Sequence, residues 1–367
     1  MKVLLTFLLS FGVSLLIIPL VIRLARKCDC IDLPGRRSFH KDPMPRWGGL
    51  AFAIGIIPVF FFLHIDRQVL SFIMAALILV VIGGIDDCKG LGWKVKLLTT
   101  LVAISIVVFM GDIVIRDIGL YGFNRRITLG IIAIPFTYLC IVGVTNAINL
   151  IDGLNGLAGG IAMIAFFFLG LGGFIAGEHT LAFICFAFAG ALLGFLFYNF
   201  PRAKIFMGDS GSLLLGFSLA VLSIQLTQGN NHFHSLKPIL NEADLFLAAL
   251  SENLVLQPMF PVLVLLLPIF DTLRVMSMRM FQRKNPFHAD KTHLHHLFIR
   301  KGNTPEVTVM ILWALSCFYG FIAVLLVRRS STPYLIVVLI VCLIMSLFAE
   351  SMSRRKRMSR GDKAGGK

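Results

Sequence analysis

From position 3 to position 22 the chain reads VLLTFLLSFGVSLLIIPLVI, without one charged residue. Apolar runs of about 20 residues recur along the rest of the chain, and that is the length an α-helix needs to cross a hydrocarbon core about 30 Å thick. The runs lack the period-2 alternation of a membrane β-barrel, so helices are expected. Composition agrees. Of the 367 residues 57% are hydrophobic and only 14% charged, against about 25% charged in a soluble domain, and mean hydropathy is +0.87. Such a chain cannot cover itself with polar surface in water. In lipid it need not, provided every backbone group is bonded within a helix. The run 3–22 is longer than a signal-peptide core and no small-residue cleavage site follows it, so it reads as a first span.

The expected spans are 3–24, 48–65, 69–85, 97–111, 129–144, 157–177, 180–198, 211–227, 257–277, 307–327 and 333–350. The fold class is therefore an all-α polytopic membrane protein of about eleven transmembrane helices. Residues 1–350 read as one multi-span catalytic domain and 351–367 as a basic cytoplasmic tail. An odd number of spans puts the two termini on opposite sides. With the N-terminus outside and the C-terminus cytoplasmic, 26 of the 34 Lys and Arg residues fall in cytoplasmic segments, as the positive-inside rule favours. Arg328 and Arg329 run against it. The net charge of +15 then belongs mostly to the cytoplasmic face, where it suits anionic lipid headgroups and phosphorylated substrates. Nucleic acid is not an expected partner, because no soluble module exists to hold it. On the outer side, residues 112–128 alternate around Gly119 and Gly122 and are expected to form a short periplasmic β-hairpin. Residues 228–256 are expected to hold a short amphipathic helix. The seven cysteines include no CxxC pair, and Cys28, Cys30 and Cys88 fall in cytoplasmic loops, so neither a disulfide nor a metal site is expected of them.

Four polar segments interrupt this apolar background. GGIDDCKG ends the third span, NAINLIDGLNG links the fifth and sixth, NFPRAKIFMGDSGS links the seventh and eighth, and a basic segment ending HLHH follows the ninth. The parity of the spans places all four on the cytoplasmic side. Asp86 and Asp87 close an apolar helix, where a carboxylate pair is expensive unless neutralised. Lys89, Lys94 and Lys96 follow, so the pair reads either as an interfacial ion-pair cluster or as a phosphate or metal site. Asn146, Asn149 and Asp152 recur every three residues and share one helical face, either as a polar seam between helices or as a binding surface. Asp209 lies in a Gly-flanked turn that offers a hard oxygen ligand to Mg²⁺, or an ordinary N-cap for the eighth span. His293, His295 and His296 lie among Arg279, Arg283, Lys284, Lys291 and Arg300. Cationic surroundings without Cys partners disfavour zinc and favour hydrogen bonds to a phosphate or sugar.

Together these motifs resemble the polyprenyl-phosphate N-acetylhexosamine-1-phosphate transferase family, which includes the enzymes that start O-antigen, enterobacterial common antigen and teichoic acid linkage units. The phospho-MurNAc-pentapeptide translocase of peptidoglycan synthesis is related. The resemblance runs from about Asp32 to Arg300 and includes the span count of about eleven. It implies that Asp86 and Asp87 are the family's DD pair, with Lys96 the lysine that follows. It implies that Asn146, Asn149 and Asp152 form the Asn-rich loop, with Asn149 associated with Mg²⁺. Asn199 and Phe206 match positions near the uridine, Phe206 stacking on uracil. Asp209 matches the main Mg²⁺ carboxylate, and His293, His295 and His296 the histidine motif. Lys41 and the PMPRWGG segment match the first cytoplasmic loop. Arg283 adds charge for the substrate phosphates. HLHH replaces the three consecutive histidines of the peptidoglycan branch, which favours a simple UDP-N-acetylhexosamine, GlcNAc foremost.

The implied reaction has a lipid phosphate oxygen attack the β-phosphorus of a UDP-sugar, with UMP leaving. The implied catalytic residues are Asp86, Asp87, Asp152 and His295. The implied cofactor is Mg²⁺, or Mn²⁺ in its place, and the implied partners are a UDP-N-acetylhexosamine, undecaprenyl phosphate and the lipids of a bacterial inner membrane. Gly-rich spans such as 153–177 offer a surface for a homodimer. Two rivals are an intramembrane prenyltransferase and a transporter. The first commonly carries DxxxD, but the fourth residue after Asp86 is Gly90. The second places charges near the midplane and shows internal repeats, whereas these carboxylates sit at span ends.

Overall fold

The computed structural model describes residues 2–33, 42–121, 125–228, 256–283, 292–327 and 329–364. The order of elements begins α1 (Lys2–Lys27), β1 (Ile31–Asp32), β2 (Met44–Pro45), α2 (Gly48–Ile56), α3 (Arg67–Lys89) and α4 (Trp93–Ser105). A hairpin of β3 (Asp117–Tyr121) and β4 (Arg125–Thr128) follows, then α5 (Ala133–Ile151), α6 (Leu157–Ile175), α7 (His179–Asn199) and α8 (Gly208–Gln228). The last described helices are α9 (Met259–Val264), α10 (Leu266–Phe281), α11 (Leu294–Arg300), α12 (Pro305–Leu325) and α13 (Ser331–Ala364). Both sheets are two-stranded and antiparallel.

Among the described residues nine helices are long and apolar enough to cross a membrane: α1, α3 to α8, α12 and the first part of α13. The two other expected spans, 48–65 and 257–277, are built differently. α2 gives way at Ile57 to a 3₁₀ turn, Ile57–Phe61, with Pro58 in its first positions. Proline has no N–H to continue an α-helix, and the resulting apolar helix Gly48–Phe61 is shorter than the roughly 20 residues of a full span. The segment at 257–277 breaks at Leu265 into α9 and α10, with Pro268 in the first turn of the second piece, where a missing N–H is tolerated. The expected hairpin is present, Asp117 pairing with Thr128 and Tyr121 with Arg125. The expected amphipathic helix at 228–256 falls almost wholly outside the described residues. α13 continues through the basic residues 354–360, so the tail prolongs the last helix.

α8 is the axis of the bundle: its whole apolar window is buried, against α3, α5 and α2. α1 packs on α7, and α6 on α7 and α12. Close approach at the start of α8 needs glycine. A Cβ on Gly49 would strike the backbone of Gly211. Gly208 has φ of 73°, and a side chain there would meet Arg46 O and the Asp87 carboxylate. The left-handed backbone and the lack of space both select glycine at 208. One sequence expectation is corrected here: Cys30 and Cys88, 58 residues apart, are joined in a disulfide with Cα atoms 4.4 Å apart. Their separation along the chain hides a proximity that only tertiary packing creates.

Candidate active site

The ends of α3, α5 and α7 and the starts of α4, α6 and α8 meet at one end of the bundle. Asp66 starts α3 by accepting a hydrogen bond from Val69 N at 2.8 Å, and Gly90, with φ of 66°, ends it in the left-handed cap that glycine favours. Asp86 and Asp87 therefore lie in the last turn of α3, both buried.

The two carboxylates do different things. Asp87 Oδ1 accepts from Asp209 N at 2.7 Å, and its Oδ2 accepts from Ser210 N at 3.2 Å and Ser210 Oγ at 2.7 Å. It thus caps α8 from another helix, satisfying N–H groups that a helix start leaves without partners and meeting the positive end of its dipole. Asp86 Oδ2 pairs with Lys96 Nζ at 2.7 Å, while Asp86 Oδ1 is buried without a hydrogen-bond partner among the described residues. Asp209, held in the first turn of α8, faces Asp86. Its Oδ2 pairs with the same Lys96 Nζ at 2.8 Å, and its Oδ1 accepts from Asn149 Nδ2 at 3.0 Å. Asn149 Nδ2 also donates to Ser212 Oγ at 2.8 Å. Asp86 and Asp209 thus share one ammonium, while Asp87 beside them is bound to the start of α8, so three carboxylates stand against one lysine.

Around this centre, Asp152 caps the end of α5, is exposed, and feels the charges of Asp209, Asp87 and Arg46. Asn146 is exposed on α5, so of the Asn-rich series Asn149 is the member bonded to the cluster. Asn199 turns inward: its Oδ1 accepts from Gly156 N at 2.7 Å and its Nδ2 donates to Ile205 O at 2.8 Å. Both ends of that amide are engaged by backbone. Half-buried Phe206 is held by its backbone, with Phe206 N donating to Pro45 O at 2.7 Å and Gly48 N to Phe206 O at 2.9 Å. The PMPRWGG segment is thereby tied to the loop that leads into α8.

The histidine motif reaches the same end. A Cβ on Gly153 would come within 2.7 Å of His295 Nε2, so this ring lies on the loop that carries Asp152. His295 is 2% exposed, its Nδ1 is buried without a partner among the described residues, and burial pushes its pKa down to about 3. It is a neutral imidazole at physiological pH. His296 is half-buried, its ring 4.2 Å from that of His295. His293 is buried and directs Nδ1 at Asp271 Oδ2, 2.8 Å away. Arg283 is exposed at the end of α10, and Lys41 lies outside the described residues. Sequence reasoning passed over Asp271 and Arg274, although a carboxylate inside the apolar run LLLPIFDTL is the kind of intramembrane charge that marks a site.

Comparison with known proteins agrees with this arrangement. The family model described as glycosyl transferase family 4 matches residues 69–227, from α3 to the end of α8. A probable undecaprenyl-phosphate N-acetylglucosaminyl 1-phosphate transferase of Bacillus subtilis (strain 168) is 30% identical over 351 residues, covering 95% of this chain and 92% of the relative. Undecaprenyl-phosphate alpha-N-acetylglucosaminyl 1-phosphate transferases of Yersinia pestis and Escherichia coli (strain K12) are 27% and 26% identical, each over 92% of this chain and 88% of the relative. With similarity along nearly its whole length, and with the family's matched region carrying the carboxylate cluster, this chain belongs to glycosyl transferase family 4.

Proposed function

We propose that the protein transfers N-acetylglucosamine 1-phosphate from UDP-N-acetylglucosamine to undecaprenyl phosphate and releases UMP, on the cytoplasmic face of a bacterial inner membrane. The observation that carries this reading is the convergence of Asp86 and Asp209 on Lys96 at one end of the bundle, with Asp87 beside them holding the start of α8. The names of the relatives support the sugar and the lipid, and the Lys and Arg distribution supports the orientation. An apolar groove of about 280 Å³, lined by Trp47, Leu50, Val80, Val81, Gly84, Ile85, Cys88 and Lys89, opens beside the last turn of α3. A lipid chain and a charged headgroup can thus be bound within a few residues of each other.

The excess of carboxylates over lysine at this centre fits a hard dication such as Mg²⁺, which Asp209 would hold, with Asn149 orienting it. When bound, that ion supplies charge neutralisation for the phosphates of both substrates. The protein's own groups do the rest. Lys96 fixes the spacing of Asp86 and Asp209 and screens their repulsion. Asp87 is committed to α8 and keeps Asp209 in place. Asp86, with an oxygen to spare, takes the remaining proton of the lipid phosphate. That phosphate oxygen forms a bond to the β-phosphorus, the bond from the β-phosphorus to the bridging oxygen breaks, and UMP departs. Phe206 offers a face for the uracil ring. Purified protein given UDP-N-acetylglucosamine and undecaprenyl phosphate should release UMP and form the lipid-linked pyrophosphoryl sugar. Failure to form that product, or a stoichiometric burst of UMP without lipid, would overturn direct attack.

A further inference from the structure

Asp271 sits within the apolar run of α10 and is 1% exposed. A carboxylate so placed is tolerated only with partners, and its partners all point one way. Oδ2 faces His293 Nδ1 at 2.8 Å, and Oδ1 accepts from Leu294 N at 2.9 Å and from Arg274 Nη2 at 3.1 Å. Arg274 Nη2 also donates to Thr292 O at 2.5 Å. Two residues one turn apart on α10 therefore clasp residues 292–294, the entry to α11. The His293 ring lies parallel to that of His295, 9° apart with centroids separated by 6.0 Å.

The clasp has a chemical consequence. A carboxylate facing Nδ1 keeps the proton on that nitrogen, so the neutral ring carries its lone pair on Nε2. Such a nitrogen accepts a hydrogen bond from a hydroxyl. We propose that Asp271 is a positioning residue: it sets the tautomer and direction of His293 so that Nε2 accepts from a hydroxyl of the UDP-sugar. This rests on the UDP-sugar reading given above.

Asp271→Asn is the test, because it keeps size and shape while inverting the bond. An amide that donates to Nδ1 forces the ring proton onto Nε2 and turns the acceptor into a donor. The expected result is a KM for UDP-N-acetylglucosamine about tenfold higher with kcat within about threefold, the signature of lost ground-state binding. His293→Gln should do the same, and the double variant should be no worse than His293→Gln alone. Elution in detergent should stay at the wild-type volume, with melting lower in Asp271→Asn because Arg274 loses its charged partner. A wild-type KM, a loss confined to kcat, or effects that multiply in the double variant would overturn the assignment. If Asp271→Asn does not assemble, Asp271→Ser is read in the same way, and failure of both to assemble assigns Asp271 to the fold alone. Wild-type enzyme in the same assay separates the two ideas. Without UMP release from wild type the proposed function fails; with it, an unaffected Asp271→Asn sinks only the positioning role.

Discussion

At the scale of single residues, Asp86 and Asp87 are neighbours in sequence with opposite duties. Asp87 spends both oxygens on the first turn of α8. Asp87→Ala should therefore destabilise the folded protein by about 2 kcal/mol, the range for a lost helix cap with charged hydrogen bonds, and the drop should be read as a lower melting temperature in detergent. Asp86→Asn and Asp209→Asn should leave melting near wild type while lowering UMP release about 100-fold or more, as expected when a proton acceptor or a carboxylate that would hold a dication is lost. Wild-type turnover in either Asn variant would show the charges to be structural. His295 gives a pH test. Burial, followed by the charge of His296, holds its pKa near 3, whereas an unfolded histidine titrates near 6.5. Below about pH 6.5 the unfolded chain therefore binds a proton that the native ring refuses, and stability falls as pH falls. Melting between pH 8 and pH 5 should decline less steeply in His295→Gln than in wild type.

At the scale of elements, the site depends on how α1, α3 and α8 are held together. The Cys30–Cys88 bond ties the end of α1 to the turn of α3 that carries both aspartates. Arg46 N also donates to Cys30 O at 3.1 Å, so the same cysteine anchors the strand leading into PMPRWGG. Protein purified without reductant and unfolded in denaturant should alkylate at five of its seven cysteines, and at all seven after reduction. Reduction should destabilise the fold by up to about 4 kcal/mol in the chain-entropy picture for a loop of this size, read as a lower melting temperature. Seven reactive thiols before reduction would show that the two sulfurs are adjacent but unbonded. The broken helices belong to this scale too. α9 and α10 are separate pieces, and the second brings Asp271 and Arg274 to the histidine loop.

At the scale of the whole molecule, the carboxylate cluster and the histidine motif gather at one end of a bundle whose axis is the buried α8. The basic stretch from Arg354 prolongs α13. Five cations there, Arg354, Arg355, Lys356, Arg357 and Arg360, are worth about 1 kcal/mol each beside an anionic bilayer. Deleting 358–367 should leave UMP release in detergent within about twofold and weaken only the association with anionic lipid. A large loss of turnover in detergent would give the tail a catalytic part.

The amino-acid sequence by itself determined the class of fold, because helix length, charge placement and hydropathy are local properties that a bilayer reads directly. It also marked the DD pair, Asn149, Asp209 and the histidines, because polar residues at the ends of apolar runs are costly and stand out. The hairpin at 117–128 was legible for a similar reason, its turn and alternation lying within a few residues. Which aspartate caps α8 and which keeps an oxygen to spare was decided only by tertiary packing, since it depends on where Ser210 N and Lys96 Nζ arrive from other helices. The inward turn of Asn199, the pairing of Cys30 with Cys88 and the clasp of Asp271 on His293 are of the same kind. Each joins residues more than twenty positions apart, and at such distances pairing is set by how helices pack, not by the order of residues along them.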